Sequence, residues 1–158
     1  MFDVLVFVYE HYWRGDACPE LQQLERRLSA HGFEAEQIHE ALTWLDGLNF
    51  AAQNAAAEEI TIAPVAASAS SLRVYSPGEQ EHLGAECLGF ISFLASSGVL
   101  PPTMRELVID RAMAASGEPV SLDDLKIIVL LVYWSFGKQP DALVLDELCD
   151  SPETRVAH

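Results

Sequence analysis

The first half of the chain has a pattern of apolar positions that predicts three helices. Residues 2–14 are apolar or aromatic at nearly every position, which suits either a helix or a strand, and we interpret them as a buried helix. Pro19 fits the first position of a second helix, and Gly32 can supply its left-handed C-terminal residue. Residues 34–48 follow as a third helix with one apolar face. Two helices joined at one glycine have the outline of a helix-turn-helix.

Residues 49–71 interrupt this helical pattern. They are rich in alanine and serine, and short stretches that favour β-structure lie at residues 60–65 and 72–75. The two stretches could pair as a hairpin, with a flexible tip or linker between them. A hairpin after a helix-turn-helix is the arrangement of a winged-helix module. We therefore expect a winged-helix-like module in residues 1–75, with the linker and hairpin in residues 49–75.

The second half of the chain carries strong signals for the starts of helices. Ser76 and Pro77, with a glutamate three residues after the serine, form a capping box with proline at the first helical position. Thr103 repeats the capping box, and Ser121 gives a weaker version of it. Residues 127–134 are apolar on every side of the predicted helix, which is typical of the central helix of a bundle.

The pattern as a whole predicts an all-α, mainly helical protein with one small β-hairpin. The winged-helix-like module would be followed by a C-terminal helical bundle in residues 76–150, packed around residues 122–136. A short last helix is predicted at residues 142–149, and residues 151–158 are expected to form a flexible tail.

The charge balance narrows the classes of partner. The chain has 9 lysines and arginines against 24 aspartates and glutamates, for a net charge of −15. Such a field repels phosphate backbones and anionic membranes and accelerates encounters with basic proteins. The third predicted helix carries Glu34, Glu36, Glu40 and Asp46 and no basic residue, so it would be a poor recognition helix for DNA. We expect a protein partner with a basic surface, and we do not expect nucleic acid as a ligand.

The cysteines and the apolar runs indicate where in the cell the protein resides. Cys18, Cys87 and Cys149 are odd in number and lack CxxC spacing, which favours a reducing cytoplasm over a disulfide framework or a zinc ribbon. The apolar run near the N-terminus has no basic residue before it and no cleavage site after it, so a signal peptide is not expected. Residues 127–134 are far short of the ~20 residues of a membrane span. We predict a cytoplasmic protein, and its oligomeric state stays open.

Two ExxH spacings are the strongest hint of chemistry, Glu36 with His39 and Glu79 with His82. Di-iron bundles use this spacing, but they also need glutamates from two further helices. The four residues fall mainly on predicted polar faces, so we interpret them as solvated surface. The sequence also lacks a GxSxG elbow and a glycine-rich phosphate loop. We therefore expect no catalytic residues, no cofactor, no metal ligands and no enzymatic activity.

One charged stretch is the first candidate for a protein interface. In it, Ile109 stands among charges of both signs, and an isoleucine so placed can anchor a partner. A solvated face with local ion pairs is the simpler interpretation of the same stretch. With the acidic positions of the third helix added, the candidate interface residues are Arg105, Glu106, Ile109, Asp110, Glu36 and Glu40.

Six segments spread over nearly the whole chain carry a family resemblance. They are MFDVLVFVYEHY, EALTWLDGL, LRVYSPGEQEHL, ECLGFISFL, RELVIDRAM and LDDLKIIV. In these segments the chain resembles the bacterial Smg proteins, and it departs from their usual pattern at Ile127 and near Ser135. The resemblance implies a helical fold and a cytoplasmic location, and it implies no known reaction, cofactor or catalytic residue.

These observations lead to two hypotheses of function. The first is a non-catalytic, acidic, cytoplasmic protein-binding factor, which the charge balance favours. The alternative is a nucleic-acid-associated regulator that uses the winged-helix-like half.

Overall fold

The computed structural model describes residues 1–12, 20–61, 73–116, 119–141 and 144. This part of the chain contains helices and no strand. The helices are α1 (Phe2–Tyr12), α2 (Leu21–Ala30), α3 (Ala35–Thr61), α4 (Pro77–Ser96), α5 (Pro102–Met113) and α6 (Leu122–Ser135). The all-α prediction is confirmed. The short helix and the tail predicted after residue 141 lie outside the described residues, apart from residue 144.

The prediction of a β-hairpin is wrong, and that of a winged-helix module fails with it. Ile60 and Thr61, where the first β-stretch was expected to begin, are the last residues of α3. Residues 73–75 lead into α4 without regular structure, and residues 62–72 lie outside the described part. The physical reason is the alanine-rich run in residues 49–61, because alanine has the highest helix propensity and extends α3 to 27 residues. The nucleic-acid hypothesis loses the module on which it depended.

The capping box at the start of α4 is confirmed. The Ser76 hydroxyl accepts a hydrogen bond from the Glu79 backbone N–H at 3.3 Å, and the Glu79 carboxylate accepts one from the Ser76 N–H at 2.8 Å. The signal at Ser121 is confirmed as an N-cap, because its hydroxyl accepts from the Asp124 N–H at 3.1 Å. The capping box predicted at Thr103 is wrong, because the prolines before it start α5 two residues earlier, at Pro102, and place Thr103 inside the first turn.

A central helix and a continuous core hold the bundle together. Helix α6 packs against α1, α3, α4 and α5, so that it touches elements from both halves of the chain. The buried residues of α6 are Leu125, Lys126, Ile128, Val129, Leu130, Leu131, Val132 and Tyr133. The division into units of residues 1–75 and 76–150 stays a prediction.

Helix α4 is broken at Gly84, which the sequence did not indicate. Gly84 has φ 71° and ψ 167°, a backbone region that essentially only glycine adopts. The His82 carbonyl, two residues before Gly84, accepts a hydrogen bond from the Val120 N–H at 3.0 Å. The Cys87 thiol donates to the Val120 carbonyl at 3.3 Å. The break therefore attaches the chain before α6 to the middle of α4.

Candidate functional site

The structure separates the two ExxH pairs. Glu36 and His39 are exposed on the first turns of α3, as the sequence predicts. His82, in contrast, is buried with 7% of its surface exposed, so its assignment to a solvated face is wrong. Its Nε2 donates to the Ala112 carbonyl at 3.0 Å, which joins α4 to the end of α5. Among the described residues, no three His, Cys, Asp or Glu side chains form a group that could hold a metal ion.

The charged stretch of α5 consists largely of local ion pairs. Arg105 donates to Glu106 at 3.0 Å, and Asp110 accepts from Arg111 at 2.7 Å. Ile109 is in the core with 3% of its surface exposed, so it cannot anchor a partner from the surface in this conformation. The reason is that α5 packs against α3, α4 and α6, which buries a wider arc than one apolar stripe.

Arg73 ties the segment before α4 to both α4 and α5. Its guanidinium donates to the Glu79 carboxylate at 2.9 and 3.1 Å and to Glu106 at 2.8 Å, and it lies over the Tyr75 ring at 4.7 Å. This guanidinium, together with the Ser76 N–H, lowers the pKa of Glu79 to about 2. The same two carboxylates raise the pKa of Arg73. Together with Arg105, which donates to Glu106, the cluster has two arginines and two glutamates whose charges cancel, so its role is structural and fixes the start of α4.

A cleft of about 700 Å³ opens between the start of α1, the first half of α3 and the end of α5. We name it the α3 cleft. It brings together two of the predicted interface residues, Glu36 and Glu40, with side chains from distant parts of the sequence. The residues that line it are Met1, Glu36, Gln37, His39, Glu40, Thr43, Trp44, Arg111 and Ala114. Its volume is within the ~300–1,000 Å³ that is usual for ligand pockets.

Trp44 and Arg111 form the wall of the cleft on the side of α5. The Trp44 indole N–H donates to the Arg111 carbonyl at 3.0 Å, and the indole is buried with 4% of its surface exposed. The Arg111 side chain crosses α3 at Gly47, where an added Cβ would overlap its Nη1 atom. Glycine at this position therefore allows α5 and its arginine to approach α3 closely.

The charges around the cleft leave an acidic excess at its rim. Glu36 and Glu40 stand one turn apart on α3, and the amino nitrogen of Met1 lies 4.0 Å from the Glu40 carboxylate. The Arg111 guanidinium donates twice to the Asp110 carboxylate, at 2.7 and 3.0 Å. The positive charge of Arg111 is thus offset by its neighbour, and no ion pair within the described part of the chain involves Glu36.

Sequence reasoning found the acidic rim of the cleft and missed its wall. Glu36 and Glu40 were identifiable because an acidic helix face without basic residues is visible in the sequence. Trp44 and Arg111 are 67 positions apart, and no local pattern connects them. The one available signal was Gly47 near the end of the helix predicted at residues 34–48, because a glycine inside a helical pattern often has a packing reason.

The chain matches known proteins over its full length. The family described as "Protein of unknown function (DUF494)" matches residues 1–158. A protein named Protein Smg homolog from Leptothrix cholodnii is 59% identical over 158 residues, the whole of both chains. Proteins of the same name from Methylibium petroleiphilum and Bordetella pertussis are 58% and 46% identical, also over the whole of both chains.

No solved structure matches the chain. In the described part, no helix combines the length and the apolar character that a membrane crossing requires. The resemblance to Smg proteins is confirmed by the full-length matches, and the chain belongs to the Smg family.

Proposed function

We propose that this protein is a non-catalytic binding factor of the bacterial cytoplasm, and that its partner is a protein with a basic surface. The observation that carries the proposal is the pair of accessible carboxylates, Glu36 and Glu40, at the rim of the α3 cleft. A cleft gives these charges a defined place in which a partner group can be held, which a uniformly acidic surface would not.

The distribution of the positive charges supports the same proposal. Arg73, Arg105 and Arg111 are each in an ion pair with a carboxylate. Lys126 is buried, with 7% of its surface exposed. Each of these ion pairs neutralises a carboxylate as well as an arginine, so the field at the surface follows the net charge of −15. Such a field attracts basic partners over distances of about one Debye length, ~8 Å at physiological salt.

The proposal is tested on a partner captured from lysate and identified by mass spectrometry. The association rate is then measured by stopped flow across a salt series. It should fall by about tenfold or more between low and physiological salt, while the dissociation rate changes little, because screening acts on the long-range encounter. Reversing the charges of Glu36 and Glu40 to lysine should slow association further. Urea denaturation compares the stability of this charge-reversal variant with that of the parent protein.

Two results would overturn the proposal. One is a captured partner whose contact surface is acidic. The other is an association rate that does not respond to salt, which would leave the net charge of −15 as a means of staying soluble.

A further inference from the structure

We infer that the α3 cleft binds an arginine-containing segment of the partner, with the guanidinium seated against Glu36 and Glu40. This inference rests on the proposed function and names the chemistry of the contact. It follows from three properties of the cleft, which are its charge, its walls and its size.

The carboxylates at the rim are placed to receive a cation. Glu36 and Glu40 lie one helical turn apart on the same face of α3, so a single guanidinium can reach both. Among the ion pairs within the described residues, none involves Glu36, and Glu40 has only the Met1 amino nitrogen at 4.0 Å. A planar guanidinium can bind a carboxylate through two parallel N–H···O bonds, which an ammonium group cannot do.

The walls suit the rest of an arginine side chain. Ala114, which is exposed, and the small exposed part of the Trp44 indole give the cleft an apolar portion on which methylene groups can lie while the charged end stays at the rim. Ala114 caps the C-terminal end of α5, where the partial negative charge of the helix dipole favours cations. Arg111 does not cancel this preference, because its guanidinium is held by Asp110 at 2.7 Å.

The size of the cleft indicates a segment of chain as its occupant. A volume of about 700 Å³ falls in the range of pockets that hold a drug-sized ligand, which is larger than one arginine side chain. An isolated arginine would leave much of this space to water. We therefore expect one arginine to be held at the rim and its chain neighbours to contact the Trp44 side.

The inference is tested by titrating the ¹⁵N-labelled full-length protein with a blocked synthetic peptide, acetyl-GRARG-amide. The probe should shift the Trp44 indole N–H resonance and the amides of Glu36, Thr43 and Ala114. The double variant Glu36→Gln with Glu40→Gln should bind about tenfold more weakly, as expected for the loss of two charge-assisted contacts. The lysine peptide acetyl-GKAKG-amide should bind the parent more weakly than the arginine peptide does.

A matched control distinguishes binding in the cleft from attraction by the overall negative charge of the protein. Glu10 and Glu25 are exposed on α1 and α2 and do not line the cleft. Their double change to glutamine removes the same charge and should weaken binding less than about twofold. Equal weakening by the two double variants would overturn the cleft as the binding site and leave charge steering intact. Equal affinity for the arginine and lysine peptides would overturn the preference for arginine.

A failure of the proposed function can be told apart from a failure of the inference about the cleft. A partner association that does not depend on salt would contradict charge steering, whatever the peptide result. Urea denaturation of each variant shows whether it is folded, and the shift of the Trp44 indole resonance on peptide addition reports on the cleft itself.

Discussion

Replacement of Gly84 by alanine tests the break in α4, on which the attachment of the chain before α6 depends. The backbone of Gly84, at φ 71° and ψ 167°, lies in a region that residues with a Cβ rarely adopt. An added Cβ at this position would meet no atom within 4 Å. The cost of the change is therefore conformational and does not come from a clash with a neighbour.

The expected loss in the free energy of unfolding is about 1–3 kcal/mol, the cost of holding a non-glycine residue in such a region. If the helix straightens instead, the Val120 N–H loses its bond to the His82 carbonyl, which is worth about 0.5–1.5 kcal/mol, and the neighbouring Cys87 bond is lost as well. Either route destabilises the protein. For a chain of this size each kcal/mol lowers the Tm by about 2–4 °C, so the expected decrease is roughly 2–12 °C.

Gly89 provides a matched control in the same helix. It is exposed, its φ is not positive, and an added Cβ would meet no atom within 4 Å. Gly89→Ala should therefore raise the free energy of unfolding by about 0.4–1 kcal/mol, because alanine restricts the unfolded chain and favours the helix. Urea denaturation followed by circular dichroism measures both variants. Stabilisation of similar size by both changes would refute the break at Gly84.

Three other expectations can be checked on the purified protein. The Arg73 guanidinium and the Ser76 N–H lower the pKa of Glu79 to about 2 in the folded state, below the ~4.3 of an unfolded chain. The contribution of Glu79 to the free energy of unfolding is therefore full above pH ~5 and is lost as the pH falls toward ~2. The difference in urea midpoint between the parent and Glu79→Gln should shrink over this range, and a constant difference would contradict the pairing. Burial raises the pKa of the Cys87 thiol to about 11, so iodoacetamide at pH 8 should modify it roughly a hundredfold more slowly in the native protein than in urea. Duplex DNA should bind at physiological salt no more tightly than ~10⁻⁴ M in an anisotropy titration, and sub-micromolar binding would contradict the role assigned to the acidic field.

The starts and ends of helices were largely predictable because they depend on local chemistry. Ser76 and Ser121 cap their helices as the sequence indicated, and Gly32 takes a positive φ of 90° just after α2. The hairpin prediction failed for an equally local reason. The alanines after residue 48 were interpreted as a linker because they lack amphipathic spacing, although their high helix propensity favoured continuing α3.

Burial was harder to predict, because it depends on how many neighbours a helix has. Ile109 was assigned to the surface on the assumption that α5 buries one stripe of apolar residues. Because α5 contacts three helices, more than one side of α5 is buried, and Ile109 lies in the core. His82 was assigned to a polar face on the assumption that α4 is regular. The break at Gly84 is accompanied by tertiary hydrogen bonds that join His82 and Cys87 to Val120, and a glycine in a helical pattern does not by itself specify it.

The α3 cleft shows why the acidic residues could be found from the sequence while the site could not. Its rim is a property of one helix, since Glu36 and Glu40 follow each other at helical spacing. Its wall exists only because α5 reaches α3, through the Trp44 indole bond to the Arg111 carbonyl and the space left by Gly47. Arg111 donates to Asp110, its neighbour in the sequence, which offsets a positive charge that would otherwise face the rim. The packing of α5 thus supplies the wall of the cleft, whereas the negative charge of the rim comes from the glutamates of α3.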